Sequence, residues 1–365
     1  MPNVVLITGV SRHLGGRLAA QLAADPSVDR VIGVDTAPPR TADLVRLGRT
    51  EFVRADIRNP LIAKVMAQAH VDTVVHASVL ATPRVTGRVP MKEMNVIGTM
   101  QLLAACQKSD SVSRVVVKST TAVYGASPHD PAVFTEDMHA IGHAAQGYAQ
   151  DAVEVEGYVR GFLRRRPDIA VTVLRLASVI GPDVETPLAH YLAMPLVPTS
   201  LGYDPRLQLL HESDAIEVMR LATVSSRPGV FNVAGDGVLT LAQAIRIAAR
   251  MRLPVPGPAI SLVGGLVRNA GVAEFSAEQA SFLNYGRVVC TGKLRSQFPY
   301  EPLYSTREAL QSYVDARPAP RLAAGALRSA EHVVSGWLEG RAQRAAALAR
   351  AATARASIGA AGGVG

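Results

Sequence analysis

The chain has 365 residues, 48% of them hydrophobic, 19% charged and 5% aromatic, and a formal net charge of +8. Such a chain can bury a full core and is long for one compact domain, yet it shows no apolar run able to cross a bilayer, no leader-like start and no metal-ligand spacing around Cys106 and Cys290, so a reducing cytoplasm is expected. The positive charge sits on arginines spread along the chain without zinc-finger spacing or aromatic RNA-binding motifs, which argues against nucleic acid as a partner.

Val4-Val5-Leu6-Ile7 predicts a buried parallel strand, Thr8-Gly9 the tight turn that ends it, and Leu14 to Ala24 a helix opening directly behind the turn. Free backbone N–H groups and the positive end of the helix dipole then converge on one spot, which suits a diphosphate. Val31-Ile32-Gly33-Val34 is a second strand closed by Asp35, twenty positions beyond Gly15, where a dinucleotide fold places the carboxylate that accepts the adenosine ribose hydroxyls. Asp35 repels a 2′-phosphate, so NAD is expected over NADP, with Arg12 and Arg40 softening that preference.

Glu51 to Asp56 and Val71 to Ala77 read as the third and fourth strands, with Asn59 to Ala69 as the helix between them. Met91 to Gln107 reads as the next helix and Arg114 to Ser119 as the fifth strand. Strands alternating with helices at this spacing predict an α/β fold, a doubly wound parallel (Rossmann) sheet whose strand carboxyl ends face the ligand crevice. Asp56, Ile57, His76, Ala77, Ser78, Ser119 and Thr120 fall on that edge.

Farther on, Pro182 to Pro205 is Pro-rich and reads as crevice-lining loops, Arg206 to His211 as a strand returning to the main sheet, Thr240 to Arg250 as an amphipathic helix, Pro254 to Gly257 as a rigid turn, and Tyr285 to Cys290 as a short segment near the crevice. The expected division is a dinucleotide-binding domain over 1–180 with 206–235 returning to it, a smaller substrate lobe over 181–205 and 236–315, and an Ala/Arg-rich helix with a disordered tail over 316–365. In that last segment Leu327, Val334, Trp337, Leu338, Arg341 and Leu348 fall at helical spacing. The basic amphipathic helix they predict would pack on its own protein, on a second copy in a homodimer, or on anionic lipid.

Between residues 3 and 315, Thr8-Gly9 through Gly15, Asp35, Ala55-Asp56-Ile57-Arg58, Val75-His76-Ala77, Asn95-Val96-Ile97-Gly98-Thr99, Ser119 through Gly125, Leu174 through Pro182, His211 through Asp214 and Phe231 through Gly235 follow one another in a familiar order. In this the chain resembles the extended short-chain dehydrogenase/reductase superfamily, in its NAD-dependent, UDP-glucose 4-epimerase-like epimerase/dehydratase branch. The resemblance implies an oxidoreductase acting on a nucleotide sugar or similar hydroxyl substrate, without a metal, in which NAD accepts a hydride, Tyr148 is the acid/base and Thr120 the oxyanion partner. It implies cofactor contacts from Thr8, Gly9, Arg12, His13, Leu14, Gly15, Asp35, Asp56, Ile57, His76, Ala77, Ser78, Asn95, Ser119 and Tyr148. It places Tyr124, Ser178, Arg206 and Arg287 against the substrate, and gives His211 and Asp214 a structural role.

Two positions depart from the pattern. The resemblance calls for a lysine four residues after Tyr148, to hold the nicotinamide ribose and lower the phenol's pKa, and Ala152 stands there. A free phenol near pKa 10 is ionised in about one molecule per thousand at pH 7, so bringing it to neutrality takes about 4 kcal/mol that alanine does not provide. Lys118 is the nearest alternative lysine in sequence, though a position on a strand does not by itself bring it to the site. Arg12 replaces the middle glycine of the opening turn, where it must swing out or bind phosphate itself. Weak activity is expected, and the other reading is a non-catalytic NAD(P)- or nucleotide-sugar-binding sensor or scaffold on the same fold.

Overall fold

The alternating apolar runs become a doubly wound sheet in a computed structural model that describes residues 3–39, 47–79, 88–138, 147–256, 277–298 and 300–317. The first half comprises β1 (Val4–Thr8), α1 (His13–Ala24), β2 (Arg30–Asp35), β3 (Glu51–Arg54), α2 (Leu61–Gln68), β4 (Thr73–His76), α3 (Arg88–Lys92), α4 (Gly98–Lys108), β5 (Arg114–Thr120), α5 (Tyr148–Arg165) and β6 (Ala170–Leu176). The second half adds β7 (Ser178–Ile180), α6 (Pro187–Ala193), β8 (Leu196–Ser200), β9 (Arg206–Leu207), β10 (Leu209–His211), α7 (Glu212–Val224), β11 (Gly229–Val233), β12 (Leu239–Thr240), α8 (Leu241–Ile247), β13 (Met251–Val255), α9 (Ala277–Tyr285), β14 (Gly286–Arg287), α10 (Gly292–Gln297) and α11 (Thr306–Ala316).

Seven strands pair in parallel in the order β11-β6-β5-β4-β1-β2-β3. The chain winds outward from β1 on one side and from β4 on the other, so the topological switch lies between them, where such folds bind ligands at the strand carboxyl ends. Strand alternation divides the core. Val5, Ile7, Val75 and Val116 pack on one face with residues of α1 and α7, and Val4, Leu6, Val74, Val115 and Val117 on the other with residues of α2, α4 and α5. Both faces are buried, as continuous apolar strands require.

Several sequence expectations change. The helix expected from Met91 to Gln107 is interrupted by a π-helical turn over Glu93–Ile97, between α3 and α4. The segment Arg206–His211 does not rejoin the main sheet: β9 pairs with β12 and β14, and β10 with β7, while the strand that does return is β11. Pro182–Pro205 is not all loop, since Thr186 caps α6 and β8 pairs in parallel with β13. Pro254 lies within β13 rather than in a turn, and Gly257 falls outside the described residues. Arg40 and the C-terminal helix expected around Trp337 also fall outside them. Among the described residues no helix is long and apolar enough to cross a membrane.

Candidate functional site

The opening turn is built by two close approaches. Gly9 has φ +81°, donates its N–H to the Val34 carbonyl oxygen at 2.9 Å, and passes so near Ser78 that an added Cβ would lie 2.8 Å from the Ser78 Cα. A Cβ at Gly15 would overlap the carbonyl oxygen of Gly9, so α1 sits directly on the turn. Arg12 is the residue before α1, with φ −102° and no side-chain acceptor for the helix's first amides, because a guanidinium only donates. An anion bound there would supply the missing cap. The turn and helix start therefore fit a dinucleotide's diphosphate, with the amides of His13, Leu14 and Gly15 facing it.

Arg12 does swing out of the turn. Its side chain is exposed, yet enough protein rings it for desolvation to lower its pKa, against the pull of Asp35 in the opposite direction. Asp35 ends β2 and accepts from Ser11 N at 3.1 Å and Thr36 N at 2.8 Å, so both its oxygens brace the loop beside the turn. Asp56 is chelated by Arg58, with Oδ2 2.7 Å from Nη2, and this bond holds its pKa below the ordinary range although burial works the other way. The side chains of His13 and Leu14 turn away from the turn. His13 Nε2 lies 3.1 Å from Glu212 Oε2, and Leu14 packs on the core.

On the fourth and fifth strands, edge position and side-chain direction part company. His76 is buried, with Nδ1 3.0 Å from Thr8 Oγ1 and 3.3 Å from Ser78 Oγ and Nε2 2.8 Å from Thr99 Oγ1. Burial, and then the charge of Lys118, take its pKa down to about 3, so it is neutral. Thr8, His76, Ile57 and Asn95 were expected to touch cofactor, but all four side chains are closed off inside the protein. Asn95 Nδ2 donates to Asp151 Oδ2 at 3.1 Å, tying the π-helical turn to α5. The side chains of Ala77 and Ser78 are buried as well, so backbone is what this stretch leaves at the edge.

Ser119 is a second correction. Its alternation in β5 points it at α5, where Oγ donates to Glu156 Oε1 at 2.6 Å. Arg175 of β6 clamps the same carboxylate through Nε at 3.0 Å and Nη2 at 2.6 Å. Burial disfavours the guanidinium's charge, but Glu156 more than reverses this and raises its pKa. The substrate role expected of Tyr124 is likewise corrected: it is 1% exposed, donates to Asn232 Oδ1 at 2.8 Å, accepts from Arg175 Nη1 at 2.7 Å and stacks on Phe134. An arginine within an apolar seven-residue strand was the sequence signal for this network.

Thr120 and Tyr148 are brought to adjoining elements. Thr120 ends β5, half-buried, and its Oγ1 accepts from Ala122 N at 3.2 Å, which leaves its proton to donate. Tyr148 is the first residue of α5, which packs on β5 and on the 3₁₀ turn Thr121–Tyr124. One helical turn on, Ala152 is 2% exposed and belongs to the first core, whereas Val155, Val159 and Phe162 of the same helix belong to the second.

Ser178 opens β7, half-buried, just past the end of β6. Arg206 and Arg287 lie on adjoining strands β9 and β14, and each donates to the loop after the 3₁₀ turn, Arg287 to the Gly125 carbonyl at 2.7 Å and Arg206 to that of Ala132 at 3.0 Å. His211 stacks on Tyr304, and Asp214 accepts from Tyr300 Oη at 2.6 Å and Leu303 N at 2.8 Å, so both anchor the C-terminal segment.

Residues 5–234 match the sequence model of the NAD dependent epimerase/dehydratase family. An uncharacterized protein of Mycobacterium tuberculosis is 52% identical over 317 residues, 87% of this chain and 84% of that one. A UDP-glucose 4-epimerase of Mycolicibacterium smegmatis is 28% identical over 183 residues, 48% of this chain and 56% of the enzyme. Among solved structures, a UDP-glucose 4-epimerase of Thermotoga maritima with UDP-glucose superposes with a TM-score of 0.66 at 19% identity, covering 86% of this chain and 98% of that one. A dTDP-glucose 4,6-dehydratase of Bacillus anthracis in complex with NAD gives 0.66 at 18% identity, covering 86% and 96%.

Proposed function

The chain belongs to the NAD dependent epimerase/dehydratase family, and on that premise we propose that it is an NAD-using oxidoreductase of low activity whose substrate is a nucleotide sugar. The cofactor is NAD, lying over the opening turn with its diphosphate on the amides of α1 and its adenosine ribose at Asp35. When bound it supplies hydride acceptance and return. Tyr148 takes the proton from the reacting hydroxyl, and Thr120 donates a hydrogen bond to the oxygen that becomes negative. The substrate is held by residues 181–205 and 236–315, with Ser178 beside the reacting sugar and Arg206 and Arg287 toward its diphosphate. The cytoplasm, rich in nucleotide sugars and cofactor, is the compartment this chemistry calls for.

The observation that carries the reading is the Ser119–Glu156–Arg175 cluster, which fastens the helix that begins at Tyr148 to the strand that ends at Thr120. The buried Ala152 supports a second reading, a sensor or scaffold that binds NAD or nucleotide sugar without turnover, since no cation stands one helical turn beyond the phenol. Calorimetric titration with NAD+ and NADH, followed by a turnover assay on UDP-glucose and UDP-glucuronic acid, separates the two. Slow turnover abolished by Tyr148→Phe establishes the enzyme, and tight cofactor binding without turnover on nucleotide sugars establishes the scaffold. Failure to bind either form at millimolar cofactor would overturn the enzyme and the NAD scaffold, and failure to bind UDP-glucose or UDP-glucuronic acid as well would overturn the nucleotide-sugar scaffold.

A further inference from the structure

Lys118 stands two residues before Thr120, and alternation in β5 puts both side chains on the face where Val116 enters the first core. Ala152, near the start of α5, touches that same core, while the rest of the helix packs on the opposite face with Ser119, so Lys118 and position 152 approach the crevice from different elements. Lys118 Nζ donates to the Val79 carbonyl oxygen at 3.2 Å, beyond the end of β4 and beside the switch between β4 and β1. That bond satisfies one of three ammonium donors. The charge that acts on Lys118 most is another cation, Arg12 of the opening turn. Two neighbouring cations repel each other until an anion comes between them.

We propose that Lys118 is this chain's cofactor-holding cation, gripping the ribose and diphosphate of the dinucleotide from β5 in place of a lysine at position 152. The proposal rests on the NAD reading above. It explains how the chain holds its cofactor with alanine at that position, and why a lysine follows three consecutive valines in β5.

Burial, reinforced by Arg12, lowers the Lys118 pKa to about 8. Its charged and titratable neighbours are His76 on β4, neutral down to about pH 3, and Arg12, a guanidinium that keeps its proton, with Asp35 beyond it. Lys118 is thus the group in this cluster that loses charge between pH 7 and 9. Its protonated fraction falls from about nine-tenths to about one-tenth over that interval, so affinity that depends on the ammonium falls about tenfold.

The test is calorimetric titration of NAD+ into the full chain, wild type, Lys118→Met and Lys118→Arg, at pH 7 and pH 9. Wild type should weaken about tenfold with rising pH. Lys118→Met should bind about tenfold or more weakly than wild type at pH 7, as expected for the loss of a charge-assisted hydrogen bond, and show no dependence on pH. Lys118→Arg should recover most of the affinity and hold it to pH 9. Lys118→Met binding within about twofold of wild type, or a pH dependence that persists without the lysine, overturns the proposal. Reductive methylation of the wild-type protein, read by mass spectrometry of the Lys118 peptide, needs no variant to fold. Saturating NAD+ should suppress labelling, and equal labelling with and without it overturns the proposal. A wild type that binds no NAD+ refutes the NAD reading itself, an outcome distinct from either of these.

Discussion

Removing the Glu156 carboxylate should cost more than any surface ion pair, because the two partners it hydrogen-bonds, Ser119 and Arg175, are buried with it. In Glu156→Ala, Arg175 loses both of its bonds to the carboxylate while only 4% exposed, and Ser119 loses the acceptor 2.6 Å from its hydroxyl. Breaking one side of a buried pair costs about 3–5 kcal/mol, and the unsatisfied serine pushes toward the upper end. Unfolding entropy near 2 cal/mol/K per residue makes a body of this size lose about 1.5 °C per kcal/mol, so the melting temperature should drop ~5–8 °C. Thermal denaturation followed by circular dichroism reads this directly. Glu156→Gln, which keeps an acceptor for both partners, should fall between, and Glu156→Leu with Arg175→Met should recover most of the loss because no charge is left stranded. The same alanine variant should lower turnover by freeing the start of α5, eight residues upstream, to drift from Thr120. A Glu156→Ala protein melting within about 1 °C of wild type would show that Arg175 finds water or another acceptor, and the clamp would lose its place in the argument.

Gly15→Ala forces a methyl against the backbone of Gly9, which cannot move without opening the turn, so about 1–3 kcal/mol of stability and nearly all NAD+ affinity should be lost; unchanged calorimetric binding would mean that the diphosphate lies elsewhere. Asp35→Asn keeps one acceptor for the loop amides but removes the charge. NAD+ should bind about tenfold more weakly, as for loss of a charged hydrogen-bond acceptor, while NADP+ binding improves as the repulsion of its 2′-phosphate is relieved. Parallel titrations that leave the ratio of the two cofactors unchanged would remove Asp35 from the ribose site.

The order of strands, the opening turn and the position of Asp35 were legible because each is written locally, in apolar runs, glycine breaks and spacing. What lay beyond reach was direction, which strand pairing decides one residue at a time. Lys118, Ser119 and Thr120 all end one strand, and the sequence puts all three at the crevice. In the folded chain the middle one turns to α5 and becomes part of a clamp, while its two neighbours keep to the opposite face, with Val116. The same limit explains Tyr124, Asn95 and His76, polar residues at edge positions whose hydrogen-bond partners come from as far away in sequence as Asn232, Asp151 and Thr8. It also explains β9 and β10, whose partners lie in other segments of the chain, β12 and β14 for the one and β7 for the other. A cation at position 152 and a cation at position 118 are unrelated in sequence, one on a helix and one on a strand. They become alternatives because α5 packs on the turn that follows β5, at the carboxyl edge of the sheet, and so a missing lysine in one motif does not by itself mean a missing charge in the site.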